Sequence, residues 1–265
     1  MKKVIFNKFD SVEEFSNWIQ VTPQTEKGKE FNQSVTNSYR FTGTESFEEA
    51  QNLLKCGDKE NADKITATIR KIKAQGKGTE TRNKLYNSPC GFMPIVPKVL
   101  AGDPQNMLAI KKQSYKSTKV LNIVYNTTVD WRLTTEEIIE TASKVANVIS
   151  SLEKKGYRVN LYAFSCGEGK KNTAFSLLIK IKDSGKYFDT LRIAYPLINP
   201  SFIRRHLLAY LERIEGYGLY ENYGRVISDD KESKKYLPIN ACYLSFYNCN
   251  GKTEQEIAKM IESGK

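Results

Sequence analysis

The sequence predicts an α/β protein with a doubly wound, mostly parallel sheet and one antiparallel edge strand, preceded by a mainly helical and irregular N-terminal region. Two observations in residues 119–265 support this fold class. Apolar runs of strand length alternate with amphipathic helical repeats, in the order strand, helix, strand, strand, helix, strand, helix. A short polar turn at 167–172 joins the second and third strands, which predicts a hairpin and an antiparallel third strand.

The elements of residues 119–265 follow from local patterns. Residues 120–125 form a continuous apolar run, which is typical of a strand buried on both faces. A long helix is predicted over 134–156, because apolar residues recur at helical spacing, Thr134 and Glu137 match a capping box, and Gly156 can end it. The later predictions are strands at 157–164, 173–182 and 240–249 and helices at 199–216 and 253–264.

Residues 1–118 are predicted to form a separate basic, helical and proline-containing region. Amphipathic patterns predict helices over 9–19, 41–57 and 60–78. The later part of the region holds four of the eight prolines, at Pro89, Pro94, Pro97 and Pro104. Because proline fixes the backbone and removes a donor, residues 88–108 are predicted to be an ordered irregular arm, not a strand or a long helix.

Composition disfavours several classes of protein. No apolar run approaches the roughly 20 residues of a membrane helix, and no signal-like segment opens the chain, so we expect a non-secreted protein that does not bind a membrane. Free thiols are expected at the five cysteines. His206 is the only histidine and no close cysteine pair occurs, which disfavours zinc and leaves His206 as the only histidine base. No catalytic residue is assigned.

Basic residues are concentrated in the first part of the chain. The net charge is +11, and residues 51–118 alone carry 13 basic and 5 acidic side chains. Such a segment can attract nucleic acid or an acidic protein surface, or form an ordinary solvated lysine-rich surface. A nucleic-acid interface would combine the basic segment 60–84, two arginines and a tyrosine-rich loop, with the candidates Lys64, Arg70, Lys71, Lys73, Lys77, Arg204, Arg205, Tyr220, Tyr223 and Arg225.

A polar turn follows the first strand of the predicted sheet. It contains Asn126, Thr128 and Asp130 and lies where the carboxyl ends of parallel strands usually bind ligands. Asn248 and Asn250 follow the last predicted strand and are expected at the same edge. We therefore predict a ligand- or partner-binding edge made of these five residues.

The element order of residues 119–265 resembles the von Willebrand factor A-type domain. In that family the first strand ends in Asp-x-Ser-x-Ser, whose oxygens hold Mg²⁺, and the matching positions here are Asn126, Thr128 and Asp130. The resemblance implies a degenerate site, because Asn126 lacks the leading carboxylate and Asn248 and Asn250 stand where a later acidic ligand is expected. No cofactor is therefore expected, and Thr128 and Asp130 are the candidates if Mg²⁺ binds.

The whole chain is similar to a family of uncharacterised proteins encoded by bacteriophages. The segments that carry this similarity are FTGTESFEEAQNLL at 41–54, MPIVPKVLAGDPQNM at 93–107, and the strand–helix unit at 119–161. The resemblance implies a bacterial host cytoplasm or a virion as the setting. The resemblance brings no established activity. Our leading hypothesis is a non-enzymatic protein that binds a phage or host protein, host-defence proteins included; a nucleic-acid-binding protein and a metal-dependent A-type domain are the alternatives. The sequence leaves the oligomeric state open.

Overall fold

The computed structural model of the chain describes most of the polypeptide. The described residues are 2–74, 85–110, 119–129, 133–170, 172–186, 188–220, 223, 227 and 229–263. The strands are β1 (Lys3–Phe9), β2 (Leu85–Ser88), β3 (Met93–Pro94), β4 (Met107–Ile110), β5 (Val120–Asn126), β6 (Arg158–Glu168), β7 (Thr173–Lys182) and β8 (Cys242–Ser245). The helices are α1 (Val12–Val21), α2 (Glu26–Phe31), α3 (Gln33–Thr36), α4 (Tyr39–Thr42), α5 (Phe47–Cys56), α6 (Lys59–Ala74), α7 (Val96–Leu100), α8 (Thr135–Lys154), α9 (Thr190–Ile198), a π-helical segment (Phe202–Leu207), α10 (Leu208–Leu211), α11 (Asp230–Lys234), α12 (Phe246–Cys249) and α13 (Glu254–Ser263).

The main sheet has five strands in the order β1-β7-β6-β5-β8. The pairs β1–β7, β5–β6 and β5–β8 are parallel, and β6 and β7 form an antiparallel hairpin. The predicted mostly parallel α/β sheet and its antiparallel third strand are therefore confirmed.

The antiparallel strand does not lie at the edge, contrary to the prediction. β1 pairs with β7 in parallel, from Lys3 opposite Thr173 to Phe9 opposite Ile179. The physical reason is that β7 is buried along most of its length and would leave a long unpaired backbone edge if it ended the sheet. Residues from the first 118 thus complete the sheet of the later region, and the two predicted regions share one core.

The helices that pack on the sheet lie mainly on one of its faces, so the doubly wound prediction is wrong for the described residues. Ile123, Leu161 and Leu177 point to the face covered by α1, α5, α6, α8, α9, α10, α13 and the π-helical segment. The opposite face is covered by Ile227 and by residues of the segment 229–241, which includes α11. The chain after β7 returns to the face of α8 because the apolar sides of α9 and the π-helical segment complete the core there.

Local capping fixes several helix ends as the sequence predicts. The side chains of Ser11, Ser46 and Thr134 each accept a hydrogen bond from the backbone N–H three residues later. The side chain of Glu137 reaches back to Thr134 and completes the predicted capping box of α8. Beyond α8, Gly156 adopts a φ of 96°, a conformation that favours glycine.

Two predicted elements after β7 have different bounds in the structure. The segment predicted as a helix at 199–216 is helical from Pro200, directly after the extended Asn199, and it ends with α10 at Leu211. The strand predicted at 240–249 contains only β8, because Ser245 and Asn248 form a capping box that starts α12.

Residues 85–110, called the arm below, form a small sheet that the sequence did not predict. Its three antiparallel strands lie in the order β2-β4-β3, and α7 connects β3 to β4. Pro94 lies on an edge strand and Pro97 in the first turn of α7, both of which are positions that tolerate proline. The prolines therefore shape a compact arm and do not prevent regular structure.

Candidate functional sites

The polar turn after β5 forms a closed hydrogen-bond network at the carboxyl edge of the main sheet. The Asn126 amide nitrogen donates to Tyr243 Oη at 2.8 Å, and its oxygen accepts from the Thr128 backbone N–H at 3.0 Å. Tyr243 Oη donates to one Asp230 carboxylate oxygen at 3.2 Å, and Ser245 Oγ donates to the other at 3.0 Å. The side chains of Asn126, Tyr243, Ser245 and Asp230 are thus linked to one another by hydrogen bonds.

The structure brings together only part of the predicted edge. Asn126 and Thr128 are fully buried, and Asn248 joins the network by capping α12 through Ser245. Asn250 is exposed beyond α12 and lies outside this network. Asp130 lies outside the described residues.

Asp230 is the carboxylate that sequence reasoning missed at this edge. It comes 15 residues before Ser245 in sequence and reaches the edge because α11 packs beside β8. Its only sequence signal is the Asp229–Asp230 pair at a helix start, where the Asp229 side chain caps α11. Such a pair predicts a helix N-terminus, not a contact across the sheet edge.

The described donors at this edge do not fit a hard cation. Mg²⁺ requires octahedral oxygen ligands, carboxylates in particular. Here the Asn126 oxygen accepts from the backbone, and both Asp230 oxygens accept from hydroxyl groups. Within the described residues, no group of three or more His, Cys, Asp or Glu side chains converges, and buried Thr128 Oγ1 has no hydrogen-bond partner. We derive no metal chemistry from this edge.

A small crevice lies beside the same turn. Its volume is about 90 Å³, and its lining includes Thr127, Val129, Asn199 and Arg204. Sites for drug-sized ligands usually span about 300–1,000 Å³, so this crevice holds a few water molecules at most. It gives no support to a small-molecule site at the sheet edge.

The single histidine is buried in a structural network. Gln51 Oε1 lies 2.9 Å from His206 Nε2 and can only accept, so Nε2 carries the proton and Nδ1 accepts from Tyr195 Oη at 2.9 Å. Burial lowers the pKa of His206 to about 3. With no exposed surface, His206 does not reach a substrate, and the histidine-base alternative is wrong.

A nucleophilic role is also excluded for Cys166, the cysteine that directly precedes the polar turn at 167–172. The Cys166 side chain is fully buried, and burial raises the pKa of its thiol to about 11. A thiol of this kind stays protonated at neutral pH and is inert as a nucleophile.

Two of the nucleic-acid candidates are buried, so their predicted role is wrong. Arg205 is fully buried and donates to Thr44 Oγ1 at 2.8 Å and to the carbonyls of Ser34 and Thr44 at 3.0 and 2.7 Å. Tyr223 is buried and donates its hydroxyl proton to the Glu212 carboxylate. Both side chains stabilise the fold and are closed to a phosphate or a base.

The remaining described candidates lie on different elements of the fold. The Arg204 guanidinium carbon lies 4.6 Å from the centre of the Phe41 ring, and Lys170 Nζ lies 5.4 Å from that of Tyr220. Lys64 and Arg70 are exposed on α6, where Lys64 pairs with Glu60. Lys77 and Arg225 lie outside the described residues, as do the side chains of Lys71 and Lys73. The described contacts therefore engage Arg204, Tyr220 and Lys64 each with a different neighbour.

Residues 24–44 pack against residues 205–213 through buried polar contacts, and we call this contact the polar clamp. It attaches helices α2, α3 and α4 to the rest of the molecule. Its centre is the fully buried Glu212 carboxylate, which accepts from the Ser34 backbone N–H at 2.8 Å and from Gln24 Nε2 at 2.8 Å. Gly28 packs so closely that a Cβ there would lie 2.1 Å from the Glu212 carbonyl oxygen. The sequence did not predict a buried charge here, because no local pattern indicates that Glu212 contacts Ser34, which is 178 residues earlier in the chain.

The arm has the opposite character, with apolar side chains outside. Within residues 85–110 only Ser88 is buried. Phe92, Val96 and Leu100 are 60%, 61% and 82% exposed. These three side chains therefore give the arm an exposed apolar surface.

One face of the small sheet carries most of the apolar residues of its strands. Leu85 lies opposite Ile110, and Met93 lies opposite Leu108, so all four side chains share this face. Leu85, Met93 and Ile110 are each exposed. We call these four residues the apolar face of the arm.

No helix in the described ranges is both long and apolar enough to cross a bilayer. The chain is a mixed α/β protein with a five-stranded, mostly parallel sheet and an appended antiparallel sheet. A family model described as "Domain of unknown function (DUF7192)" matches residues 1–263, and the chain belongs to this family. No curated protein and no solved structure matches the chain.

Proposed function

We propose that the chain is a non-enzymatic, phage-encoded protein that binds another protein, of the phage or of its bacterial host, through the arm. The observation that carries this proposal is the exposure of the apolar side chains of the arm, from Leu85 to Ile110. A three-stranded sheet of this size needs a covered apolar face to be stable by itself. A partner that covers the arm would supply that burial.

The charge of the arm agrees with a protein partner. Its 26 residues contain one basic and one acidic side chain, Lys98 and Asp103, whose charged groups are 3.1 Å apart. Protein-binding surfaces are depleted of unpaired charge at their centres and enriched in aromatic residues and methionine. Phe92, Met93 and Tyr86 give the arm that composition.

The body of the molecule acts in this proposal as the scaffold. The strand order β7-β6-β5-β8, with β7 antiparallel, supports the finer proposal that residues 119–265 are a degenerate A-type domain. In it, the hydrogen bonds of Asn126 and Asp230 take the place of a bound cation. The setting we propose is the host cytoplasm or the virion, and host-defence proteins are among the partners considered.

The proposal is tested by capture from host and infected-cell lysates, with and without nuclease. The wild-type chain is compared with Phe92→Ser/Val96→Ser/Leu100→Ser and with the control Val21→Ser, since Val21 is 78% exposed on α1, away from the arm. We expect a protein that survives nuclease, is retained by the control and is lost with the arm variant. Retention of the same protein by the arm variant would overturn the proposal.

Nucleic-acid binding is the alternative function, and the same experiment separates it. The basic excess of residues 51–118 favours it, with Lys64 and Arg70 exposed on α6. It predicts that nuclease removes all captured material and that affinity falls steeply with salt, since each phosphate contact releases counterions.

A further inference from the structure

We propose that two copies of this chain associate through β1, whose outer edges pair in antiparallel fashion and join the two main sheets into one. β1 ends the main sheet, and its described strand partner is β7. A second copy would place the same strand against itself across a twofold axis, which is the commonest symmetry of soluble oligomers. The arm takes no part in this association, which is therefore independent of the proposed function.

The outer edge of β1 carries unpaired backbone groups. The Lys3 N–H donates to the Asn172 carbonyl at 2.8 Å, so the odd-numbered residues of β1 turn their backbone groups toward β7. Val4, Phe6 and Lys8 therefore turn their N–H and C=O groups outward, because these groups alternate along a strand. Within the described ranges, no hydrogen bond uses these outward groups. Such an edge is a template for another strand.

The outward residues of β1 also expose apolar side chains. Val4 and Phe6 are 46% and 45% exposed, and they share one face of the strand. β1 contains no proline, and its pairing with β7 is regular from Lys3 to Phe9. A lysine commonly protects an edge, but Lys8 Nζ lies 2.9 Å from the Asp10 carboxylate, which compensates its charge. β1 is therefore a long edge strand that can accept a partner.

The order of residues in β1 fits pairing with itself in one register. With Phe6 opposite Phe6 of the second copy, Val4 lies opposite Lys8, and each outward N–H reaches a C=O group. The same register brings Lys2 opposite Asp10 of the second copy, so that opposite charges meet at both ends of the strand. A shift by two residues in either direction shortens the pairing. One of these shifts also places Lys2 opposite Lys8, and like charges directly opposite each other destabilise a sheet.

The helix that follows β1 leaves this edge accessible. Phe15 of α1 is fully buried in one cluster with Ala163, Leu177 and Ile179, which belong to β6 and β7. The helix therefore lies over the interior of the sheet. The net charge of +11 opposes the approach of two copies, but salt at about 0.15 M screens such repulsion beyond about 8 Å. Contacts along the strand then determine whether the copies pair.

The direct test is sedimentation velocity of the full-length chain at about 1–500 µM in about 0.15 M salt. We expect a reversible dimer with a dissociation constant of about 10–100 µM, since one strand pair is a small interface. Phe6→Glu and Phe6→Lys should each weaken the dimer at least about tenfold, because each variant places two like charges opposite each other. An equimolar mixture of the two variants should restore the dimer, because opposite charges then face each other.

Val120→Glu is the matched control. Val120 is a strand valine that is 51% exposed on β5, which lies inside the sheet, so this variant should dimerise as the wild type does. Thermal melting of all three variants shows that they are folded. In the wild type, amide hydrogen exchange at residues 4, 6 and 8 should slow as the protein concentration rises.

Three results would overturn pairing through β1. They are a wild-type chain that stays monomeric over the whole concentration range, a dimer that persists in both Phe6 variants, and a mixture of these variants that stays monomeric. A dimer that is lost in Phe92→Ser/Val96→Ser/Leu100→Ser would also overturn it, because self-association would then use the arm. Capture of a lysate protein by the arm is measured separately, so the proposed function can stand while this assignment fails.

Discussion

The polar clamp, which joins residues 24–44 to residues 205–213, and the arm, residues 85–110, place their side chains in opposite ways. The clamp buries charge: Glu212 and Arg205 are fully enclosed and hydrogen-bonded to residues 24–44. The arm exposes apolar surface: its hydrophobic side chains lie outside and its two charges pair with each other. The comparison shows that a segment of this chain buries its side chains where another part of the same molecule packs against it. We infer that residues 24–44 have theirs in the helix at 205–213, and that the arm finds its own in another protein.

The largest loss of stability is expected from Arg205→Leu. The change leaves the buried carbonyls of Ser34 and Thr44 without this donor, and a buried acceptor left unsatisfied costs about 1–3 kcal/mol, so the two together cost several kcal/mol. Urea denaturation measures the change in unfolding free energy. Arg192→Leu is the control, because that side chain is 74% exposed, and its effect should stay within about 0.5 kcal/mol. A similar loss of unfolding free energy in both variants would contradict a special contribution of the clamp to stability.

Gly28→Ala tests how closely the clamp is packed. The new methyl group would lie 2.1 Å from the Glu212 carbonyl oxygen, so α2 must move away and the hydrogen bonds from Thr25, which caps α2, to that carbonyl must lengthen. Overpacking of this kind costs about 1–3 kcal/mol, and the urea midpoint should fall accordingly. Lys27→Ala changes an exposed neighbour on the same helix and should be nearly neutral. A neutral Gly28→Ala variant would show that α2 is loosely held.

His206 makes the body sensitive to acid. Its folded pKa of about 3 lies below the usual 6.5, so the unfolded chain binds one more proton between these values and stability falls as pH drops below 6.5. The contribution approaches about 1.4 kcal/mol per pH unit. Unfolding free energies at pH 7.0, 6.0 and 5.0 measure the slope. Because this is the only histidine, His206→Gln should remove this part of the slope, and an unchanged slope would contradict the assignment.

A smaller effect is expected at the carboxyl edge of the sheet. Asp230→Asn weakens the bonds from Tyr243 and Ser245 by removing the charge of the acceptor, which should cost about 1–2 kcal/mol. The oxygen atoms of Asn126 and Asp230 that could bind a cation already accept hydrogen bonds. We therefore expect Mg²⁺ at about 10 mM, a concentration above the dissociation constant of most Mg²⁺ sites, to leave Tm unchanged. A rise of several degrees that Asp230→Asn abolishes would restore a cation site there.

The smallest effect on stability is expected in the arm. Leu100→Ser alters a side chain that is 82% exposed, so the unfolding free energy should change by less than about 0.5 kcal/mol. On the same samples, we expect thermal melting to show an unchanged Tm and partner capture to show a loss of the bound protein. A stability loss as large as that of a clamp variant would mean that the arm packs on the body, and the contrast between the two regions would disappear.

Local signals account for the parts of the fold that the sequence predicted well. β5, β7 and α8 have the expected positions because each is encoded by its own run, turn or capping box, as with Thr134 and Glu137. The buried turn at Asn126 was also predicted at the sheet edge, since a polar cluster after a buried strand has few other places to lie. Its partner Asp230 could not be predicted, because α11 reaches the edge only through packing beside β8.

The sequence by itself determined the α/β class, the hairpin and the helix caps, because hydrophobic period and capping hydrogen bonds act over a few residues. The tertiary structure decided that β1 joins β7, that helices gather on one face, and that Arg205 and Tyr223 turn inward while the arm stays outside. Those outcomes depend on packing between segments that are more than a hundred residues apart in the sequence. A local pattern of charge or hydrophobicity does not indicate which distant surfaces pack together. The sequence around a basic residue is therefore the same whether its side chain faces water or a buried carbonyl.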